Sequence, residues 1–396
     1  MRKRFKMTYL KQIYHRYQKS DYVNKTKILD EFCEVCGYVR KYAIRKLNSP
    51  LPDDSQPKPT MARNRKKKYL KETVSMLEII WKATNYLCSV RLHAAIPLWL
   101  PHLKAQYHLS GKVINELLNI SPSTIDRALK AKKQKLKRKL YGTTKPGSLL
   151  KQQIPIKTDH WDTDAPGFTE IDLVSHSGNC ADGDFIHSCN ITDIHTTWTE
   201  TRAIMGKGQY ATLEAINDIL IELPFKLKGI DSDNGSEFIN HHLYRYCRKH
   251  HIQFTRSRPY KKDDNAHIEQ KNWTCVRKIF GYLRYDSDEA LLAMNDLYRN
   301  ELKLLQNLFL PSQKLIKKVR IGSRYIRKYD SPQTPLQRLL ASKSKNIDKT
   351  KLAHFVQLFN SLNPLILSRV IDHKINHIYS LASKCRSSNK SLKNAA

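Results

Sequence analysis

The sequence predicts a multidomain chain: an all-α N-terminal helix-turn-helix region, an α/β core on a mixed sheet, and a small basic C-terminal region. Three observations carry this. Apolar residues recur at helical spacing up to about residue 141, and from Trp161 the texture changes to short strand-like runs that alternate with helices. The 396 residues exceed one ordinary core. Lys and Arg total 70 against 36 Asp and Glu, a formal charge of +34. Such an excess repels itself in a compact state and is relieved by a polyanion, so nucleic acid is the expected partner.

The elements follow in order. Residues 25–35 place Ile28, Leu29, Phe32 and Val35 on one helical face, Gly37 breaks the run, and residues 39–47 resume it with Ala43, Ile44 and Leu47. This is a helix-turn-helix pattern over residues 1–48, with Arg40, Lys41, Arg45 and Lys46 off the apolar stripe, where DNA is met. Residues 49–68 read as a linker: four prolines, then the basic run 63–68. Residues 69–141 form a helical region with a second helix-turn-helix at 113–130. There Ser121 is a candidate N-cap and Pro122 the first helical residue, and Thr124, Arg127 and Lys130 are presented on the second helix.

Residues 158–300 form the expected core. Strands are predicted at 167–174, 184–192, 196–204, 226–232 and 252–256. Helices are predicted at 209–222 and 237–251, with a third starting near residue 264. Residues 301–396 read as a basic, irregular C-terminal region with a hairpin at 319–329 around Gly322 and a disordered end beyond Ala382. The N-terminus lacks an apolar run after its basic start, and residues 92–103 are too short and too interrupted to span a bilayer, so secretion and membrane insertion are not expected. The eight cysteines read as unpaired thiols: only Cys33 and Cys36 have ligand-pair spacing, and the looser group His176, Cys180, His187 and Cys189 matches no metal pattern.

Three carboxylates stand where hard-metal chemistry needs them. Asp172 lies inside an apolar strand, Asp233 ends the fourth strand before Asn234-Gly235-Ser236, and Glu269 sits in the first turns of the helix after the loop 258–265. Carboxylates gathered together repel and hold a proton at neutral pH; a divalent cation keeps them ionised, and an all-oxygen set favours Mg²⁺ or Mn²⁺ over zinc. Asp231 shares a strand face with Asp233, and Asp263 and Asp264 compete with Glu269.

Asp172, then Asp233 in Asp233-Asn234-Gly235-Ser236-Glu237-Phe238, then Glu269 in Asn265-Ala266-His267-Ile268-Glu269-Gln270-Lys271-Asn272 resemble the DDE catalytic core of retroviral integrases and prokaryotic insertion-sequence transposases. The last two carboxylates are 269 − 233 = 36 positions apart, which leaves 35 residues between them; the first two are 233 − 172 = 61 apart. Further stretches resemble the transposase group: Thr144-Lys145-Pro146-Gly147-Ser148-Leu149-Leu150, Phe254-Thr255-Arg256-Ser257-Arg258-Pro259-Tyr260 and Thr334-Pro335-Leu336-Gln337-Arg338-Leu339-Leu340. The resemblance implies an RNase H-like core that carries out DNA integration. It also implies a homo-oligomer on double-stranded DNA (element ends and target) and a prokaryotic cytoplasmic, nucleoid-associated location. The integrases' His-His-Cys-Cys zinc module has no counterpart here, and the helix-turn-helix pair stands in its place. Where many integrases carry DNA-contacting lysines, this chain has Trp273 and Val276; Lys271, Arg277 and Lys278 lie nearby, and Lys261 and Lys262 add charge to the preceding loop.

The implied mechanism uses Asp172 and Asp233 as shared metal ligands and Glu269 to complete the set, for 3′-end cleavage and then strand transfer. Two other readings fit part of the sequence: a DNA-binding transcriptional regulator with an inactive core, and an RNase H-like endonuclease that cuts without joining.

Overall fold

The computed structural model describes residues 3–51, 69–135, 165–233, 235, 237–256, 266–321 and 324–383. The chain forms two compact units, residues 1–67 and 68–396, each with its own apolar core.

The first unit contains α1 (Lys3–Lys19), α2 (Tyr22–Cys36) and α3 (Arg40–Asn48). Asp21 caps α2 by accepting the Asn24 N–H at 2.9 Å. Gly37 closes α2 in the left-handed conformation at φ 62°, its N–H bonded to the Cys33 carbonyl, a geometry that costs a residue with a Cβ far more than glycine. The chain thereby turns within three residues, and Leu10, Ile13, Phe32, Ala43 and Leu47 meet in the core.

The second unit opens with α4 (Lys71–Ala83), α5 (Ser89–Gln106), α6 (Gly111–Asn119) and α7 (Pro122–Lys135). α5 runs unbroken through Pro97 and Pro101. Its buried face (Leu92, Ile96, Trp99, Leu103) packs into the core, and the Trp99 indole donates to the Phe309 carbonyl at 3.1 Å. Tertiary packing thus outweighs the loss of two helical donors. Ser121 caps α7: its Oγ accepts the Thr124 N–H at 3.4 Å and its carbonyl the Ile125 N–H at 3.0 Å.

The sheet comprises β1 (Phe168–Ser175), β2 (Ile186–Asp193), β3 (Thr199–Met205), β4 (Gly229–Ser232) and β5 (Gln253–Arg256), in the order β3-β2-β1-β4-β5. β1 pairs antiparallel with β2, β2 antiparallel with β3, and β1–β4 and β4–β5 are parallel. Helix α8 (Gln209–Glu222) connects β3 to β4, and α9 (His241–Lys249) connects β4 to β5. All eight residues of β2 are buried, as expected of a sheet covered on both faces. α9 begins four residues later than its apolar pattern suggests, because Asn240 is its N-cap and accepts the Leu243 N–H at 2.9 Å.

Helix α10 (Ala266–Lys271) continues through a π-helical turn (Asn272–Arg277) into α11 (Lys278–Phe280), and α12 (Asp288–Leu297) runs on into π-helical turns at Tyr298–Leu302 and Leu305–Phe309. The hairpin expected near residue 322 is present as β6 (Leu315–Ile321) and β7 (Arg324–Tyr329). Beyond it the expectation of an irregular region is corrected: α13 (Pro335–Ala341), α14 (Lys349–Ser361) and α15 (Pro364–Ser380) follow. Leu336, Leu339, Phe355, Leu365, Ile371 and Ile378 from these helices join the same apolar cluster as the sheet and α4–α7. Thr334-Pro335-Leu336-Gln337 is a capping box with proline in the first turn of α13. The end beyond Ala382, the linker prolines after Leu51 and the Thr144–Leu150 motif lie outside the described residues, apart from Ser383.

Among the described residues six cysteines are free thiols and Cys180 is disulfide-bonded, which corrects the reading of eight unpaired thiols. His176 Nε2 contacts Ser188 Oγ at 2.8 Å and His187 Nδ1 contacts the Phe185 carbonyl at 3.1 Å. Among the described residues no group of three or more His, Cys, Asp or Glu stands ready to hold a metal ion.

Candidate active site

β1 is the middle strand of the sheet, and Asp172 lies near its midpoint, opposite Asn190 of β2. Its carboxylate accepts the Leu173 N–H through Oδ1 at 2.8 Å and the Asn272 amide through Oδ2 at 2.6 Å. Asn272 also accepts from the Asn190 side chain at 2.9 Å, and Asn190 accepts the Thr201 hydroxyl at 3.2 Å. The four side chains form one chain of hydrogen bonds from β3 through β2 and the helix to Asp172. Burial pushes the Asp172 carboxyl up to about 7, and the neighbouring charges of Asp233 and Glu237 add to the rise against the two hydrogen bonds.

Asp233 follows β4 directly, so the parallel β1–β4 pairing sets it near Asp172. Its Oδ1 accepts the Gly235 N–H at 2.9 Å, a turn in which an Asx side chain bonds two residues ahead. Burial raises this carboxyl as well, with Glu237 contributing. Asp231 is placed differently. It is fully buried and its Oδ1 accepts the Thr255 hydroxyl of β5 at 2.6 Å, which ties it to the sheet interior.

Glu269 lies on α10, three positions before Asn272, but its side chain lies outside what the structure describes, as do Lys261, Lys262, Asp263 and Asp264. One carboxylate with a role here was not assigned from the sequence. Glu170 is buried on the same face of β1 as Asp172, and its Oε2 accepts the Ile268 N–H at 2.9 Å. That bond pins the start of α10 to the sheet beside Asp172. A buried acid two residues before another in one strand was its only signal in the sequence. Glu237 was likewise quoted in the Asp233 motif without a role.

The basic residues fall into two groups. Arg40, Lys41, Arg45, Arg127 and Lys130 are exposed on α3 and α7 and Thr124 is partly so. Arg40 pairs with Asp30, Arg45 and Lys46 lie over the Tyr42 ring, and Arg127 donates to Thr124 at 2.8 Å. Lys271, Arg277 and Lys278 turn towards protein instead. Lys271 donates to the Thr197 carbonyl at 3.0 Å, Lys278 to the carbonyls of Asn85 and Tyr86, and Arg277 lies 4.8 Å from the Tyr282 ring centroid. Burial lowers all three, Lys271 and Lys278 to about 8.

Two carboxylates side by side on adjacent parallel strands, Asp172 near the midpoint of β1 and Asp233 directly after β4, repel each other when ionised, and a hard cation or a shared proton relieves that repulsion. Residues 162–262 match the integrase core domain, a stretch that holds Asp172 and Asp233 and ends before Glu269. The solved catalytic core of BIV integrase is similar with 16% identity and a TM-score of 0.30, covering 45% of this chain and 97% of that one. The HTLV-2 integrase catalytic core solved with magnesium in dimeric form shows 14% identity and a TM-score of 0.27, covering 37% of this chain and 89% of that one. Uncharacterized protein y4rM of Sinorhizobium fredii (strain NBRC 101917 / NGR234) is 37% identical over 329 residues, covering 82% of this chain and 92% of that protein. The chain belongs to the family of y4rM, and its residues 162–262 match the integrase core domain. No helix among the described residues is long and apolar enough to cross a membrane.

Proposed function

We propose that the chain is a transposase that binds the ends of a DNA element, cleaves their 3′ ends and joins them to target DNA. Asp172, Asp233 and Glu269 are the residues that would hold Mg²⁺ or Mn²⁺. The observation that carries this is the placement of Asp172 and Asp233. Burial and like charge raise both carboxyls, which is the electrostatic situation that a divalent cation reverses. When bound, the metal supplies activation of the attacking oxygen and charge stabilisation of the leaving 3′ oxygen. The chain's own residues do the rest: Asn272 orients the Asp172 carboxylate and Glu170 fixes the helix that carries Glu269. The exposed basic residues of α3 and α7 meet the DNA, and a homo-oligomer brings two ends together.

The test uses the DNA that flanks the gene, as uncut and pre-cut duplexes with Mg²⁺, beside a gel shift on the same DNA. Joined products are expected from the unaltered protein. Asp233→Asn keeps size and polarity and removes the charge, so joining should fall by at least ~10²-fold while binding is kept or slightly strengthened. Cleavage without joining would point to an endonuclease. Binding with no Mg²⁺-dependent product would point to a regulator.

A further inference from the structure

A cavity of about 650 Å³ lies between the α4–α5 turn, the helix that carries Asn272, the π-helical turns after α12, and α15. Its wall holds four cations: Lys82, which pairs with Glu78, and Arg91, Lys271 and Lys278. Among the described residues the last three donate hydrogen bonds only to backbone carbonyls, and Lys278 also lies over the Tyr86 ring. Arg91 Nε donates to Pro311 at 2.5 Å, Lys271 to Thr197 at 3.0 Å, and Lys278 to Asn85 and to Tyr86, the latter at 3.4 Å. No described carboxylate pairs with any of these three; the one described acid in the wall, Asp372, is exposed on α15. Three partly buried cations around one space repel one another, and an anion in that space offsets the cost. The Arg91 guanidinium uses one of its five N–H donors on the described residues, which leaves a two-pronged face of the kind that binds phosphate.

The same wall has aromatic faces. Trp273 is 47% exposed and Tyr86 38% exposed, and both line the cavity. Asn85 and Tyr86 are consecutive left-handed residues at φ 51° and 59°. A bulky non-glycine residue held there is strained, and that turn places the Tyr86 ring and both Lys278-binding carbonyls in the wall. Lys271, Thr274, Cys275 and Lys278 line the cavity from the helix and its π-helical turn, while Asn272 of the same stretch reaches Asp172.

Cations beside open aromatic faces recognise the backbone and bases of an unpaired strand. We infer that this cavity takes an unpaired nucleotide of a DNA strand: Arg91 and Lys278 meet its phosphate and Trp273 and Tyr86 stack its base. The inference rests on the DNA-joining reading. A blunt duplex keeps its base faces stacked inside, so the cavity distinguishes a frayed or recessed end from continuous DNA.

The experiment uses the full chain in EDTA, which isolates binding from chemistry, with a duplex that carries a short single-stranded extension. The extension contains 5-iodo-deoxyuridine for photocrosslinking. The extended duplex should bind at least about fivefold more tightly than the blunt one, the lower end of what one base stacked on an aromatic ring contributes. Crosslinks should map to Trp273 or Tyr86. Arg91→Gln and Trp273→Ala should each abolish the preference and keep blunt-duplex affinity, and Trp273→Phe should retain most of it. Equal affinity for both duplexes overturns the inference, as do crosslinks that map only elsewhere; the crosslink is read on the unaltered protein, so a variant that fails to fold does not obscure it. If free dAMP competes as well as the extended strand, the ligand is a free nucleotide and the strand assignment falls. Absence of any duplex binding would defeat the DNA reading itself.

Discussion

At the scale of single residues, the informative quantity is the cost of a carboxylate at Asp172. Its folded-state value of about 7 lies above the ordinary 3.8, so between those two values the folded protein holds a proton that the unfolded chain has released. Stability should therefore fall as pH rises from about 4 to about 7 and stay level above that. Asp172→Asn removes the titration. In metal-free protein its melting temperature relative to the unaltered chain should climb across that window, ending higher by the equivalent of at least ~1 kcal/mol. Mg²⁺ should then stabilise the unaltered chain at pH 8 and not the variant. Calorimetry over pH 4–9 checks this, and a difference independent of pH would show that the site does not strain the fold. Asp172 was legible in the sequence as an acid among the apolar residues of a strand, and Asp233 as the acid of an Asp-Asn-Gly turn. Glu170 was not, because its partner is the Ile268 N–H, and a bond between a strand and a helix start 98 residues later leaves no local pattern.

At the scale of elements, five strands and most helices were legible because period-2 and period-3.6 patterns change where the chain changes. α5 belongs to the helical region read from residue 69, and the packing of Trp99 and its neighbours carries it through its two prolines. Two features were not legible. The helices after Asn300 are individually basic, so their apolar stripes look weak until they meet the sheet. The π-helical turn Asn272–Arg277 shifts the helical phase just where Asn272 must reach Asp172. π-Turns recur at functional sites, and this one makes Asn272 testable. Asn272→Asp keeps the shape but exchanges the donor that faces Asp172 for a negative charge. Since a hydrogen bond to a charged group contributes about 1.5–3 kcal/mol, joining at neutral pH should drop by about tenfold or more. The added charge raises the Asp172 carboxyl further, so the acidic limb of the pH–rate profile should move to higher pH. An unmoved profile would reduce Asn272 to a packing residue.

At the scale of the whole molecule, the charge of +34 and the separation into two units set the division of labour. The apolar cluster of the first unit (Leu10, Ile13, Tyr17, Ile28, Leu29, Phe32, Cys36, Ala43 and Leu47) shares no residue with the larger one. A core that small is marginal, and Phe32, fully buried at its centre, contributes heavily to it. Phe32→Ala should cost about 3–5 kcal/mol, enough to unfold the first unit while the sheet and its helices keep their own cluster. We expect the full chain to melt in two steps and the variant to lose only the smaller one. Binding should divide along the same line. Preference for the element's own ends should vanish, and binding to random duplex should persist with a shallower dependence on salt, because fewer phosphates are neutralised and fewer counterions released. Calorimetry and a salt titration on matched specific and random duplexes measure both effects. If Phe32→Ala lowers the main transition as well, or weakens both duplexes equally, the first unit is not an independent reader of DNA ends and that task falls to α6 and α7.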